Sequence, residues 1–194
     1  MRDRREAAIA HARRILAVNQ GARPDGTEVE KTIWGSPAGK KRLADRLVAM
    51  LPAHKTYVEP FAGAAAVLHA KDASDKEVIA DLDDDVVFLH RSIKAMTPER
   101  VEELRRRFEW TVTQESFAKA RDMTPKDDVA RFYKLVFVRT HARDCRPDGT
   151  HPAQQHLGST TNPEKYLKAA ERLKDVSILR QDYRKTIEAY DSKD

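Results

Sequence analysis

The fold of this chain is decided by residues 57–67, Tyr-Val-Glu-Pro-Phe-Ala-Gly-Ala-Ala-Ala-Val, and by residues 78–81, Val-Ile-Ala-Asp. Both begin as short apolar runs that predict buried strands, and each run ends in an acidic residue. After the first run, Pro60 and a turn of small residues lead into an alanine-rich segment that favours a helix. Strand, turn, helix and strand in this order predict one unit of a parallel α/β sheet.

A turn of this kind can hold a nucleotide-type ligand at the carboxyl edge of a parallel sheet. Because the turn has no bulky side chains, a ligand can approach its backbone, and an acid on the next strand hydrogen-bonds ribose hydroxyls. Gly63 and Asp81 are eighteen residues apart, close to the ~20 residues expected of such a unit. The turn has one glycine rather than three, so an ordinary strand-turn-helix-strand unit without a ligand stays an alternative at this point.

Length and composition limit the class of protein. At 194 residues the chain predicts one domain, or one domain with an inserted lobe. No apolar run approaches 18 residues and the N-terminus has no apolar signal-peptide core, so we expect neither a membrane span nor a leader. The single cysteine, Cys145, excludes an internal disulfide framework and fits a reducing cytoplasm, which is the expected location.

Charge is unevenly distributed along the chain. The net charge is +5 and the isoelectric point about 9.3, a balance compatible with nucleic acid although many basic proteins bind none. Basic residues gather at 2–14, 40–42, 105–107 and 139–146, and acidic residues gather at 81–85. A polyanion could contact the basic segments, while the acidic residues at 81–85 face a different group.

The pattern predicts helices and strands in alternation at both ends of the chain. Residues 1–30 read as an N-terminal helix, either a surface cover or a phosphate-facing arm, followed by a loop. Further helices are expected near 39–50, 63–71, 84–95, 163–173 and 183–190, and strands near 56–59, 77–81 and 176–179.

The middle of the chain differs, because residues 97–142 show helical patterns and no strands. Thr97-Pro98-Glu99 gives a cap, a proline at the first helical position and an early acid. A long polar loop follows at 144–163, a length that is usually functional or disordered. Residues 97–163 therefore predict an inserted helical lobe, and residues 31–96 with 164–194 an α/β domain.

Three acids, Glu59, Asp81 and Asp182, lie at or just past the predicted carboxyl ends of strands. Parallel strands place their ligand crevice at that edge, so the three acids could bind a ligand amine, ribose hydroxyls and a base amine. The alternative is that these carboxylates only cap the helices that follow them.

Together these segments resemble DNA adenine methyltransferases of the Dam type, which transfer a methyl group from S-adenosylmethionine to the exocyclic amine of adenine. The similar segments are 34–40, 57–66, 78–85 and 178–183, and Glu59-Pro60-Phe61-Ala62-Gly63 is the most specific of them. The order also matches, since a helical target-recognition lobe separates the cofactor motifs from the last cofactor acid. The resemblance implies an incomplete Rossmann-like methyltransferase sheet with this lobe inserted.

The resemblance also implies roles for particular residues. Trp34 and Lys40 would line the methionine end of S-adenosylmethionine, Asp81 would bind its ribose, and Asp182 would accept from its adenine amine. The expected cofactor-binding residues are Trp34, Lys40, Glu59, Pro60, Phe61, Gly63, Ala64, Asp81, Asp182 and Tyr183. The expected contacts with double-stranded DNA are Arg139, His141, Arg143 and Arg146.

The chain departs from the family pattern in two places. Trp34 and Lys40 are six residues apart, whereas the family loop is tighter. The catalytic Asp-Pro-Pro-Tyr motif, which orients the target amine and stacks on the flipped base, occurs nowhere in these residues. We therefore assign no catalytic residue and expect an amino-terminal portion whose catalytic half comes from a second polypeptide. A non-catalytic DNA-binding remnant and a different Rossmann-like nucleotide binder are the alternatives.

A metal site is not expected. His141, Cys145, His151 and His156 lie close in sequence, but one cysteine with irregular histidine spacing matches no zinc pattern.

Overall fold

A computed structural model describes residues 33–36, 39–146 and 148–191. The predicted N-terminal helix and loop at 1–30, with the basic segment 2–14, lie outside the described residues. The described residues form a mixed α/β fold with a three-stranded parallel sheet and eight α-helices.

The sheet has the order β1 (Thr56–Glu59), β2 (Lys76–Asp81) and β3 (Ser177–Arg180), and both pairings are parallel. Val58 lies opposite Val78, and Ile79 lies opposite Ile178. The central strand β2 is buried over four residues, because helices cover both of its faces, as expected of a parallel sheet. The three predicted strands are confirmed to within one residue.

Five of the eight α-helices of the described residues begin at a capping side chain. Side chains of Asp83, Thr97, Thr113, Asp127 and Asp182 each accept a backbone N–H in the first turn of the helix they precede. The eight helices of the described residues are α1 (Ala44–Met50), α2 (Ala66–Ala70), α3 (Asp84–Lys94), α4 (Pro98–Arg107), α5 (Gln114–Asp122), α6 (Asp128–His141), α7 (Lys165–Leu173) and α8 (Tyr183–Tyr190).

Helices α4, α5 and α6 lie between β2 and β3 in sequence and share an aromatic core. Trp110 donates its indole N–H to the Leu104 carbonyl at 3.1 Å, and Phe137, Tyr133 and Tyr166 pack around its ring. The polar segment 144–163 is tied back onto this core. Ala153 N–H donates to His141 O, Gly158 N–H donates to Val112 O, and Val112 N–H donates to Ser159 O, each at 2.8 Å.

A buried ion cluster holds the opposite end of β2. Glu77 accepts from Lys71 Nζ at 2.6 Å and from both terminal nitrogens of Arg172, so α2, β2 and α7 meet at one carboxylate. Burial alone would raise the pKa of Glu77, but the two cations outweigh it and hold that pKa below its ordinary value. This cluster stabilises the amino-terminal end of β2, which is the opposite end of the strand from the carboxyl edge of the sheet.

Candidate functional site

The carboxyl ends of the three strands meet at one edge of the sheet. Asp81 lies opposite Arg180 in the register, and the pairing continues as Gln181 N–H donates to Asp81 O at 3.1 Å. On the other side Ala62 N–H donates to Ala80 O at 2.9 Å, which carries the pairing past the end of β1. The parallel register therefore brings the ends of β1, β2 and β3, and the acids there, to this edge.

The small-residue turn after β1 has two residues in the left-handed conformation. Gly63 and Ala65 both have φ near +49°, a region that costs a residue with a Cβ about 1–2 kcal/mol. Gly63 N–H donates to Asp81 Oδ2 at 2.9 Å, so turn and acid are joined directly. A Cβ added at Gly63 would meet only Ser36 Oγ, at 3.8 Å. The turn thus presents backbone to open space beside the Asp81 carboxylate.

A histidine supports the turn from α3. His90 Nε2 lies 2.8 Å from Gly63 O and must carry the proton there, because a carbonyl only accepts. Complete burial lowers the pKa of His90 to about 4, so the ring is neutral near pH 7. Sequence reasoning missed this residue, because a lone histidine on an apolar helix face gives no signal of what it contacts.

Trp34 lies beneath the same turn rather than on its surface. Its ring packs on His90 with centroids 4.6 Å apart, and only 2% of its surface is exposed. Its indole nitrogen is buried and has no hydrogen-bond partner among the described residues. In this conformation Trp34 supports the residues that line the edge.

Lys40 and Glu59 form an ion pair at the start of the turn. Lys40 Nζ lies 3.2 Å from Glu59 Oε1 and donates to Phe61 O at 3.0 Å, while Tyr57 donates its hydroxyl to Glu59 Oε2. Burial raises the pKa of Glu59, and the charge of Lys40 opposes that rise. Lys40 is thereby joined to the segment 59–61 at the start of the turn, a contact that the sequence did not predict.

The two other strand-end acids already accept backbone hydrogen bonds. Asp81 Oδ1 accepts from Asp83 N–H at 3.1 Å, and Asp182 Oδ1 caps α8 through Arg184 N–H at 2.9 Å. Capping, the alternative function for these acids, is therefore present at Asp182, whereas Asp83 rather than Asp81 caps α3. Each carboxylate keeps unused lone pairs, and Asp182 Oδ2 accepts from no described residue.

Apolar side chains rim this edge in a way that the sequence did not reveal. The rings of Phe61 and Tyr183 pack on each other with centroids 4.9 Å apart and planes tilted by 31°, joining the turn after β1 to the start of α8. Leu82, directly after Asp81, is 65% exposed, and Ile187 on α8 is also exposed. Large exposed apolar groups around polar ones are typical of a binding surface. Of the other predicted residues, Ala64 is buried within the turn.

The acidic run after β2 faces the lobe. Arg131 of α6 contacts Asp84 at 2.8 Å and Asp85 at 2.6 Å, and Arg139 contacts Asp83 at 3.3 Å. Because α6 packs against α3, the arginines of α6 form ion pairs with the acids at the start of α3.

Two of the four residues expected to contact DNA do not lie on the surface of the structure. Arg139 and His141 are both buried, and His141 pairs with Thr161 Oγ1 at 3.0 Å. Burial also lowers the pKa of His141 to about 4, which leaves it uncharged near pH 7. Arg143 and Arg146 are exposed, so they are the members of the expected set that can reach a duplex.

The lobe holds a cavity of about 580 Å³ between α4, α5 and α6. Phe108, in the lining of this cavity, stacks on Tyr133 with ring centroids 4.3 Å apart, and the Arg107 guanidinium lies 5.1 Å from the Phe108 ring centroid.

Among the described residues, no group of three histidine, cysteine or acidic side chains is placed to share a metal ion. No helix in the described part of the chain has both the length and the apolar character needed to cross a membrane.

Comparison with known proteins finds no curated protein with significant similarity to this chain. A family model described as D12 class N6 adenine-specific DNA methyltransferase matches residues 37–194. That match spans all three strands, the turn at Gly63 and the lobe, and it confirms the predicted resemblance to an adenine methyltransferase. The chain belongs to the family of D12 class N6 adenine-specific DNA methyltransferases.

Proposed function

We propose that these residues form the S-adenosylmethionine-binding and DNA-recognition portion of an adenine N6 methyltransferase. The observation that carries the proposal is the Asp81 carboxylate, which is joined to an open glycine turn at the carboxyl edge of the sheet. A ribose placed there would donate its hydroxyls to Asp81 while its neighbouring atoms lie against the Gly63 backbone. Family membership supports this choice of methyl donor.

The methionine end of S-adenosylmethionine is a zwitterion, and the start of the turn offers both opposite charges. Lys40 would attract its carboxylate, and Glu59 would attract its ammonium group. Because the two side chains already neutralise each other, a bound zwitterion adds no net charge to a partly buried site.

The adenine end would lie against the apolar rim. Leu82 offers an exposed apolar contact next to Asp81, and the Phe61 and Tyr183 rings, which pack on each other, close the side towards α8. Asp182 Oδ2 has the capacity to accept from the adenine amine, since its Oδ1 alone serves the helix cap. The Tyr183 backbone lies next to this acid.

When bound, S-adenosylmethionine would supply an electrophilic methyl group. The target amine must also lose a proton, which requires a hydrogen-bond acceptor beside it and an aromatic platform for the flipped base. We assign neither role to a described residue, because the 194 residues contain no Asp-Pro-Pro-Tyr. Those groups would come from a segment outside these residues, in the same or a second polypeptide.

The lobe would meet duplex DNA mainly through phosphates. Arg143 and Arg146 are exposed next to the segment 148–160, and Arg106 is exposed on α4. Arginines at such positions neutralise phosphates without reading sequence.

A DNA-binding remnant that no longer binds the methyl donor is the second candidate. The capping bond of Asp182 and the backbone bond to Asp81 are compatible with it, since a fold without a ligand would also keep them. The two candidates differ in one measurable property, cofactor affinity.

Calorimetric titration with S-adenosylhomocysteine tests the proposal. Because a hydrogen bond to a charged group contributes ~1.5–3 kcal/mol, Asp81→Ala should weaken binding roughly ten- to hundredfold. Asp175→Ala, which removes an exposed acid just before β3, is the matched control and should leave affinity unchanged. Equal affinity for the wild type and Asp81→Ala would refute the ribose contact, and DNA binding without any cofactor binding would favour the remnant.

A further inference from the structure

A chain of contacts runs from the lobe to the proposed ribose acid. Arg139 Nη2 donates to Asp83 Oδ2 at 3.3 Å. Asp83 in turn donates its backbone N–H to Asp81 Oδ1 at 3.1 Å, and Gly63 N–H donates to Asp81 Oδ2. The orientation of the Asp81 carboxylate therefore depends on where the backbone of Asp83 lies.

Arg139 is an unusual residue for this place. Only 6% of it is exposed, and its Nε is buried without a partner among the described residues. Its ion-pair partner Asp83 is about half exposed, so the pair is not sealed from water on both sides. Since an apolar side chain of similar length would fill the same space without desolvating a charge, packing alone does not account for arginine here.

A second arginine braces the same turn from the same helix. Arg131 contacts Asp84 and Asp85 and lies over the Phe88 ring at 4.1 Å. It precedes Arg139 by eight residues, about two helical turns, so both lie on one face of α6. The N-terminus of α3 is thereby held between two cations that belong to the lobe.

We propose that Arg139 is a positioning residue for the Asp81 carboxylate and acts through Asp83, an inference that rests on the proposed cofactor site. Its guanidinium holds the Asp83 side chain, and the Asp83 backbone holds Asp81 Oδ1 in the direction required by ribose hydroxyls. Arg139 itself touches neither cofactor nor DNA. Loss of the guanidinium leaves the α3 cap intact, because Asp83 Oδ1 still accepts from Asp85 N–H.

Two ligands separate positioning from a general loss of structure. S-adenosylhomocysteine has both ribose hydroxyls, and its 2′,3′-dideoxy analogue has neither. Arg139→Met should weaken binding of S-adenosylhomocysteine by about three- to tenfold, a part of the effect of deleting Asp81, and should leave binding of the analogue unchanged. Arg139→Lys should restore part of the difference. Arg100→Met, which changes an exposed arginine on α4, is the control and should change neither affinity.

Asp83→Asn tests the same pair from its exposed side, and it remains informative if Arg139→Met does not fold. Asparagine keeps the helix cap but removes the charge that Arg139 contacts. It should reproduce the selective loss, and the double variant should lose no more than either single one. Equal weakening of both ligands, or an unchanged affinity for S-adenosylhomocysteine in Asp83→Asn, would overturn the inference.

Failure of this inference and failure of the proposed function give different results. If the wild type binds both ligands equally well, or binds neither, the ribose contact of Asp81 is wrong and the proposed function fails. If the wild type prefers S-adenosylhomocysteine and only Asp81→Ala loses that preference, the site stands and Arg139 has no positioning role.

Discussion

Replacing Gly63 by alanine separates the conformational cost of the turn from its role in ligand binding. The left-handed backbone at Gly63 would destabilise an alanine variant by about 1–2 kcal/mol. Alanine also lowers the conformational entropy of the unfolded chain, which stabilises the folded protein by about 0.4–1 kcal/mol. The added Cβ meets only Ser36 Oγ at 3.8 Å, an ordinary contact, so no steric cost is added. The net loss should be about 1 kcal/mol, which lowers the melting temperature of a chain of this size by roughly 2–4 °C.

Gly158 provides a matched control in the lobe. It also has positive φ, and a Cβ there would meet nothing within 4 Å. Gly158→Ala should therefore lose a similar amount of stability in urea denaturation. Affinity for S-adenosylhomocysteine should fall by about tenfold or more in Gly63→Ala alone, because only there does a methyl group occupy the space left for the ligand. Equal affinities in the two variants would refute the assignment of that space to a ligand.

Three further predictions concern other parts of the molecule. Unfolding free energy should fall as pH drops from about 6.5 to about 4, since the unfolded chain protonates His90 near 6.5 while the folded chain does so near 4; the loss at pH 4 is about 3 kcal/mol. In His90→Gln, whose amide can still donate to Gly63 O, the unfolding free energy measured by urea titration should depend less on pH. An unchanged pH dependence would contradict the burial argument. Glu77→Gln should cost about 3 kcal/mol in the same assay, because Lys71 and Arg172 would lose their shared anion in a buried setting. Arg143→Ala should weaken duplex binding and lower the salt dependence by about one charge, as measured by fluorescence anisotropy, and an unchanged salt slope would exclude a phosphate contact.

The sheet and its turn were predictable because their signals are local. β1 and β2 end in an acid and β3 has an acid two residues past its end, and Gly63 lies where the backbone requires positive φ. The hydrogen bond between Gly63 and Asp81 follows from the eighteen-residue spacing once the strands pair in parallel. The start of α4 was also set locally, by Thr97 and the proline that follows it.

The orientation of α6 was not predictable in this way. Its second half is buried on several faces, including Leu135, Val136, Phe137 and Val138, so the sequence has no polar stripe to mark a solvent face. Arg139 therefore reads as one more basic residue near Arg143, although packing between α3 and the lobe encloses it. The start of α6 is local by contrast, since the Asp127 side chain provides the cap and the helix begins at Asp128.

The central claim is that the turn after β1 and the acid after β2 bind the methyl donor together. Backbone amide NMR of the isotope-labelled chain, titrated with S-adenosylhomocysteine, tests it most directly. The account predicts that the largest shifts occur at the amides of Gly63, Asp83 and Arg184, which donate to the two acids in the free protein, while the lobe amides of Val112 and Phe117 stay unchanged. Saturation without shifts at Gly63 and Asp83, or no saturable change at all, would contradict it.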